Sequence, residues 1–185
     1  MTDIVVFTEE ASGKIVAEAL AAKMGLASRT MCLEHQGRAE LESSFPRKIA
    51  AWRGPKPPRF IVMRDNDGAD CRERKAHLLT LAPKAAAERV KVRLVLQELE
   101  SWYLGDLDAV ARAELIDERK LARAKAMAKY REPEAIRDAK AEFKREIAFG
   151  GQRELARKIA PHLSLTSNRC KSFFAFIDAL RWAAS

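Results

Sequence analysis

Phe60-Ile61-Val62-Met63-Arg64-Asp65-Asn66-Asp67-Gly68 sets an apolar run directly against an acidic turn. Such a run is what a strand buried on both faces requires. Asp-Asn-Asp-Gly then stops the strand, and Gly68 lets the chain bend close to the acids. The fold depends on whether this unit repeats, and it does. Residues 3–7 form a first apolar run, Arg29 to Glu34 a second that ends at His35-Gln36-Gly37, and Val90 to Leu96 a fourth. Helical spacing fills the gaps. Val16, Leu20 and Met24 follow the first run, with Ser12 as a candidate cap. Leu41, Phe45, Ile49 and Trp52 follow the second, where Pro46 either starts the main helix or kinks it. A helix from about Asp70 to Leu81 follows the third run, and Gln97 to Leu104 reads as helical after the fourth. Gly54-Pro55-Lys56-Pro57-Pro58 is a rigid, exposed connector that cannot join a sheet. The order β-α-β-α-β-α-β-α predicts a compact α/β fold: a mostly parallel sheet of four strands, or slightly more, flanked by helices. This core spans residues 1–110. Residues 111–185 read as a helical extension packed on it. Ala, Glu, Lys and Arg dominate from Ala111 to Ala160, Pro133 and Gly150-Gly151 divide that stretch, and a last helix covers residues 167–183.

The chain has 185 residues, with 34 Lys and Arg against 26 Asp and Glu, a formal net charge of +8. That excess draws in an acidic partner, and nucleic acid is the first candidate. The basic residues crowd the C-terminal half, interleaved with acids that can pair with them along a helix. Cys32, Cys71 and Cys170 are scattered and show no metal-ligand or disulfide spacing. They read as reduced thiols of a cytoplasmic protein. The N-terminus lacks the pattern of a secretion signal, and no apolar stretch is long enough to span a bilayer, so no membrane association is expected.

Local acid stands out on this basic chain. Glu9, Asp65 and Asp67, with Glu98 or Glu100, all follow apolar runs. In an open α/β sheet such strand ends face a common crevice. Converging carboxylates repel one another unless a cation neutralises them, and Mg²⁺, with Mn²⁺ as a substitute, suits an oxygen donor set. Glu9, Asp65 and Asp67 are the candidate metal ligands. Glu98 joins them as a candidate catalytic acid, and Glu100 is an additional one; two residues apart, they point differently on a helix. Glu9 left unliganded would instead transfer a proton. The same Asp-Asn-Asp-Gly is also a good ordinary turn. His35, Arg38, Arg64 and Lys75 flank the crevice as candidate phosphate contacts, the first two at a helix start whose free N–H groups suit an anion. That start also reads as a plain turn with a satisfied histidine.

These segments together resemble the family of bacterial proteins catalogued as domain of unknown function 4276, which carry a Toprim-like domain. The resemblance rests on Thr8 to Ser12, His35 to Glu42, Arg64 to Cys71, Gln97 to Asp106 and Asn168 to Phe173. It implies a Toprim-type fold of the kind found in primases, topoisomerases and overcoming-lysogenization-defect nucleases. In such domains a Glu after the first strand and an Asp-x-Asp pair after a later one hold Mg²⁺, roles that fall here to Glu9 and to Asp65 and Asp67. It also implies an ATPase partner and a place in bacterial conflict or phage-defence systems. Glu10 stands where many relatives have Gly, and Arg38 where Lys is frequent.

Two functions follow as expectations. One is a Mg²⁺-dependent nuclease, or related phosphodiester-handling enzyme, acting on nucleic acid. The other is a non-catalytic subunit that binds nucleic acid or a partner and regulates an ATPase-containing system. No glycine-rich phosphate loop supports ATP binding by this chain itself.

Overall fold

The computed structural model describes residues 2–53 and 56–185. The four apolar runs become β1 (Ile4–Thr8), β2 (Thr30–Glu34), β3 (Arg59–Asp65) and β4 (Val90–Val95). They form one sheet in the order β2-β1-β3-β4, and every neighbouring pair is parallel. The chain runs from β1 to β2 in one direction and then steps back across β1 to reach β3. A reversal of this kind opens a crevice between the C-terminal ends of β1 and β3, where neighbouring connections leave on opposite faces.

Those connections are α1 (Ala11–Lys23), α2 (Arg38–Ala50) and α3 (Cys71–Leu81). The period-two pleat divides the strands between two cores. Val5, Phe7, Phe60 and Val62 pack with Leu41, Phe45 and Ile49 of α2 and Leu78 of α3. Ile4, Val6, Ile61 and Met63 pack with Val16 and Leu20 of α1 on the other face. That second core is much larger, because the C-terminal residues join it.

The C-terminal part is built from short helices: α4 (Glu100–Leu104), α5 (Leu107–Arg112), α6 (Glu118–Ala126), α7 (Ala139–Glu146), α8 (Gln152–Ile159) and α9 (Lys171–Ala184). The stretch from Ala111 to Ala160 is more broken than its composition suggests. Asp117 and Asp138 each accept a main-chain N–H as side-chain caps and restart the helix, and single 3₁₀ turns fill the gaps. The last helix begins at Lys171, not at residue 167, because Asn168 and Cys170 are occupied elsewhere. Asn168 Nδ2 donates to the Trp102 carbonyl at 2.9 Å, and Cys170 Sγ lies 3.0 Å from the Ser101 carbonyl. Phe173, Phe176, Ile177 and Leu180 of α9 are fully buried against the sheet, whereas Phe174 is only half-buried.

Two further differences have local causes. Pro46 does not start α2 but lies inside it, since the helix runs from Arg38 to Ala50. Gln97 lies outside the helix because its φ is +63°, so α4 starts only at Glu100. In the proline-rich connector, Gly54 and Pro55 lie outside the described residues; Lys56 and Pro57 are exposed and Pro58 is buried. Among the described residues, no helix is long and apolar enough to cross a membrane.

Candidate metal centre

The site grows out of the ends of β1 and β3. Thr8 and Met63 pair across the ladder, so Glu9, just past the end of β1, comes out beside Arg64, the penultimate residue of β3. One residue further, Asp65 closes β3 opposite Val95 of β4. The chain then turns sharply: Asp67 has φ +50° and Gly68 φ +71°. The turn is tied to the neighbouring strand end, because Asn66 N–H donates to the Val95 carbonyl at 2.9 Å and Asp67 N–H to the Gln97 carbonyl at 3.1 Å. Asp70 caps α3 by accepting from Arg72 N–H and Glu73 N–H at 2.8 and 2.9 Å. The left-handed Asp67 is tolerable because a short polar side chain suffers little there.

A small pocket of about 20 Å³ opens at this point, lined by Glu9, Glu10, Arg64 and Asp65 among others. Asp65 is its electrostatic centre. Burial pushes its carboxyl well above the usual carboxylate range, and the charges of Glu100, Glu9, Asp67 and Glu10 push it further. Glu9 is raised too, mainly by burial, with Arg64 acting against it. Glu100 is buried at 3% exposure, and burial pushes its pKa to about 7. Its Oε2 has no hydrogen-bond partner, nor does the hydroxyl of the fully buried Tyr103, which is raised by burial and by Glu100 and Asp65. Five carboxylates therefore share one small region.

Arg64 is the one buried cation among them. Its side chain is fully closed to solvent. Nε lies 3.2 Å from Glu9 Oε2, Nη2 lies 3.9 Å from Asp67 Oδ2, and Nη1 binds Glu42 Oε1. Glu42 is held in turn by His77, 3.5 Å away. A buried guanidinium without such partners would cost several kcal/mol. The partners on α2 and α3 explain why an arginine is tolerated at the end of a central strand.

The structure brings Glu9, Asp65, Asp67 and Glu100 together, and places the other expected residues differently. Glu98 turns away: its Oε2 accepts the Lys140 N–H at 2.9 Å at the start of α7. Of the two glutamates, Glu100 is the one whose charge reaches Asp65. Arg64 points into the carboxylates, so it is not placed to meet a phosphate from outside. His35 is buried. Its Nδ1–H donates to the Thr8 carbonyl at 2.9 Å, and Nε2 accepts from Lys48 at 3.1 Å. Burial pushes its pKa down and the Lys48 charge adds to that, so it is a neutral brace under β1. Gly37 N–H reinforces the brace by donating to the Glu9 carbonyl at 2.9 Å. Arg38 is exposed at the start of α2, and its charge is felt at Glu9. Lys75 is exposed on α3, and its charge acts on Lys91 of β4. Glu10, Glu42 and Tyr103 belong to the site without having been expected. A buried strand arginine needs a carboxylate from a covering helix, which is the signal that could have found Glu42.

The donors fit a hard divalent cation in kind. All are oxygen, they repel one another, and buried carboxylate atoms on Glu9 and Glu100 lack hydrogen-bond partners. Among the described residues, however, no three of them are already gathered into a ligating group. Arg64 engages Glu9 and Asp67, and it would have to share them with an ion.

Comparison with known proteins bears on family and fold. The family described as "Domain of unknown function (DUF4276)" matches residues 8–181. No curated protein matches. Among solved structures, the C-terminal region of the Xanthomonas campestris pv. campestris OLD protein is similar with a TM-score of 0.54 at 14% identity, covering 99% of this chain and 96% of that one. The C-terminal region of the Burkholderia pseudomallei OLD protein is similar with a TM-score of 0.53 at 17% identity, covering 97% of this chain and 99% of that one. At such identities the likeness is one of fold.

Proposed function

This chain belongs to the DUF4276 family, and from that premise we propose that it is a Mg²⁺-dependent nuclease, or a related phosphodiester-handling enzyme, acting on nucleic acid. The observation that carries the proposal is the crowding of Glu9, Glu10, Asp67 and Glu100 around Asp65 at the switch point of the sheet. Five carboxylates against one buried guanidinium leave an excess of negative charge that protons or a hard cation must balance. Glu9, Asp65 and Asp67 would hold Mg²⁺, with Mn²⁺ as a substitute. Bound there, the ion would activate a water and neutralise charge growing on phosphate oxygens.

The chain's own residues would do the rest. The brace from His35 and Gly37 fixes the carbonyls of Thr8 and Glu9, and thereby the direction in which the Glu9 side chain leaves β1. Arg64 holds Glu9 and Asp67 in place, and its charge opposes the burial that raises Glu9. Glu100, half-protonated near neutral pH, suits proton transfer. The fold shared with OLD C-terminal regions agrees with the Toprim-type reading of the sequence, and an ATPase partner in a bacterial conflict or phage-defence system belongs to the same proposal.

One observation favours a second reading. Because no three donors are pre-assembled, the chain could act as a non-catalytic subunit that binds nucleic acid or a partner and regulates an ATPase. Incubation with single- and double-stranded DNA and RNA, with Mg²⁺ or Mn²⁺, separates the two. Cleavage that disappears in Asp65→Asn/Asp67→Asn supports the enzyme. Metal-independent binding untouched by those substitutions supports the regulatory subunit, and cleavage that survives them rejects this site.

A further inference from the structure

The opposite end of the sheet carries the reverse charge. Arg59 opens β3, and Phe60 pairs with Val90 of β4. Arg89 closes the 3₁₀ turn just before β4, so Arg59 and Arg89 meet at this end of the sheet and line the same pocket. Two like charges lining one pocket repel, and arginine cannot escape by losing its proton. Arg29, just before β2, and Lys56 join them around a pocket of about 250 Å³. Asp3 is the one acidic side chain lining it. It is already taken by Arg29, whose Nε lies 2.7 Å from Asp3 Oδ2.

Part of this charge has a structural explanation. Arg29 Nη2 donates to the Ala184 carbonyl at 3.1 Å, and Arg59 Nη1 donates to the Trp182 carbonyl and, at 2.7 Å, to Ser185 Oγ. These groups end α9, where main-chain carbonyls carry partial negative charge. Arg59 also lies over the Trp182 ring, 5.0 Å from its centroid. Arg29 and Arg59 are thus accounted for. Lys56 and Arg89 are not: neither forms an ion pair among the described residues, and the buried Nε of Arg89 has no hydrogen-bond partner. A buried donor of this kind is destabilising while it lacks an acceptor.

We infer that this basic floor is a second binding site, for a phosphate-bearing anion, in which Arg89 and Lys56 make the contacts and Arg29 and Arg59 hold the walls. Phosphate suits the pocket because arginine offers a planar fork of donors to tetrahedral oxyanions. The five residues of β1 put the floor roughly 17 Å from the acids. One phosphate cannot touch both ends. Either the floor grips a distant phosphate of a nucleic-acid strand, or it takes a small phosphate compound by itself. Neither requires a metal at the acids.

Titration calorimetry of the full chain with inorganic pyrophosphate, and separately with a single-stranded oligonucleotide, tests this at fixed ionic strength set with chloride. Saturable binding is expected. Arg89→Gln should weaken it about tenfold or more, the loss of one charge-assisted bond, and Lys56→Gln should weaken it less. Binding should persist in EDTA with no divalent cation present, so that failure here is distinct from failure of the metal site. Pyrophosphate binding that the oligonucleotide does not compete away assigns a small phosphate compound. Oligonucleotide binding that Arg89→Gln removes assigns the polymer. If neither ligand binds above chloride, or both variants bind as the parent does, the second site does not exist.

Discussion

Arg64 Nε stands 3.2 Å from Glu9 Oε2, and no part of the arginine side chain reaches solvent. The pair joins the ends of β1 and β3, and through Glu42 it extends to α2. Arg64→Ala would leave Glu9 and Glu42 partly buried without a counter-charge. Breaking a buried ion pair from one side typically costs about 3–5 kcal/mol. Urea denaturation should show that loss, with Arg64→Lys recovering only part because ammonium lacks the planar fork.

Metal affinity should rise with pH. Glu100 is pushed up to about 7 and Asp65 is raised well above its usual range, so both hold protons that a cation must displace. Mn²⁺ binding followed by electron paramagnetic resonance should strengthen between pH 6 and about 8. A flat profile would count against Asp65 and Glu100 facing the ion.

Without metal, stability should move the other way. Below 4.5, the ordinary value for Glu, the folded and unfolded chains both carry the Glu100 proton. Between there and about 7, only the folded chain keeps it. Stability therefore falls as pH rises through that window. Glu100→Gln should flatten this part of the curve, as read from urea midpoints at a series of pH values.

Glu98 and Glu100 should separate in function. Glu98 binds the start of α7, so Glu98→Gln should cost about 1 kcal/mol or less and leave metal-dependent activity near that of the parent. Glu100→Gln should reduce that activity at least tenfold. Equal losses in both variants would contradict the geometry.

Gly105 packs against the segment that precedes α9. A Cβ there would lie 2.4 Å from Asn168 Oδ1 and 2.8 Å from Cys170 Sγ. Both atoms belong to side chains fixed by hydrogen bonds to Ser101 and Trp102. Gly105→Ala should thus destabilise by about 1–3 kcal/mol, as overpacking does. Thermal unfolding would reveal it.

Much of the architecture was legible in the chain itself. Runs such as Ile4 to Phe7 and Phe60 to Met63 can only be buried strands, and the gaps between them are long enough only for crossover helices. The α1–α3 bounds followed from apolar period and not from caps. Ser12, read as a cap, lies inside α1, which starts at Ala11 after Glu10, and neither α1 nor α2 has a side-chain cap. Boundaries in the C-terminal half were harder, because Ala, Glu, Lys and Arg favour helix everywhere and say little about where it stops. Within the site, the grouping of Glu9, Asp65 and Asp67 followed from strand ends meeting one crevice. The directions of side chains did not follow. Arg64 reads as a surface contact until Glu42, distant in sequence, is seen beside it. His35 reads equally as a phosphate contact and as a satisfied turn histidine until Thr8 and Lys48 are seen to occupy both its nitrogens. The choice between Glu98 and Glu100 depended on Gln97, whose left-handed backbone delays the helix.

The guanidinium of Arg64 is a positive ion that the chain synthesises as part of itself. Dialysis cannot remove it and chelators cannot strip it. The carboxylates beside it keep a counter-charge even in metal-poor solution, so treatment with EDTA should silence chemistry while leaving the circular dichroism spectrum and the melting curve of the apoprotein intact. In that respect the protein would behave unlike zinc-dependent miniature domains, which lose their shape together with their ion.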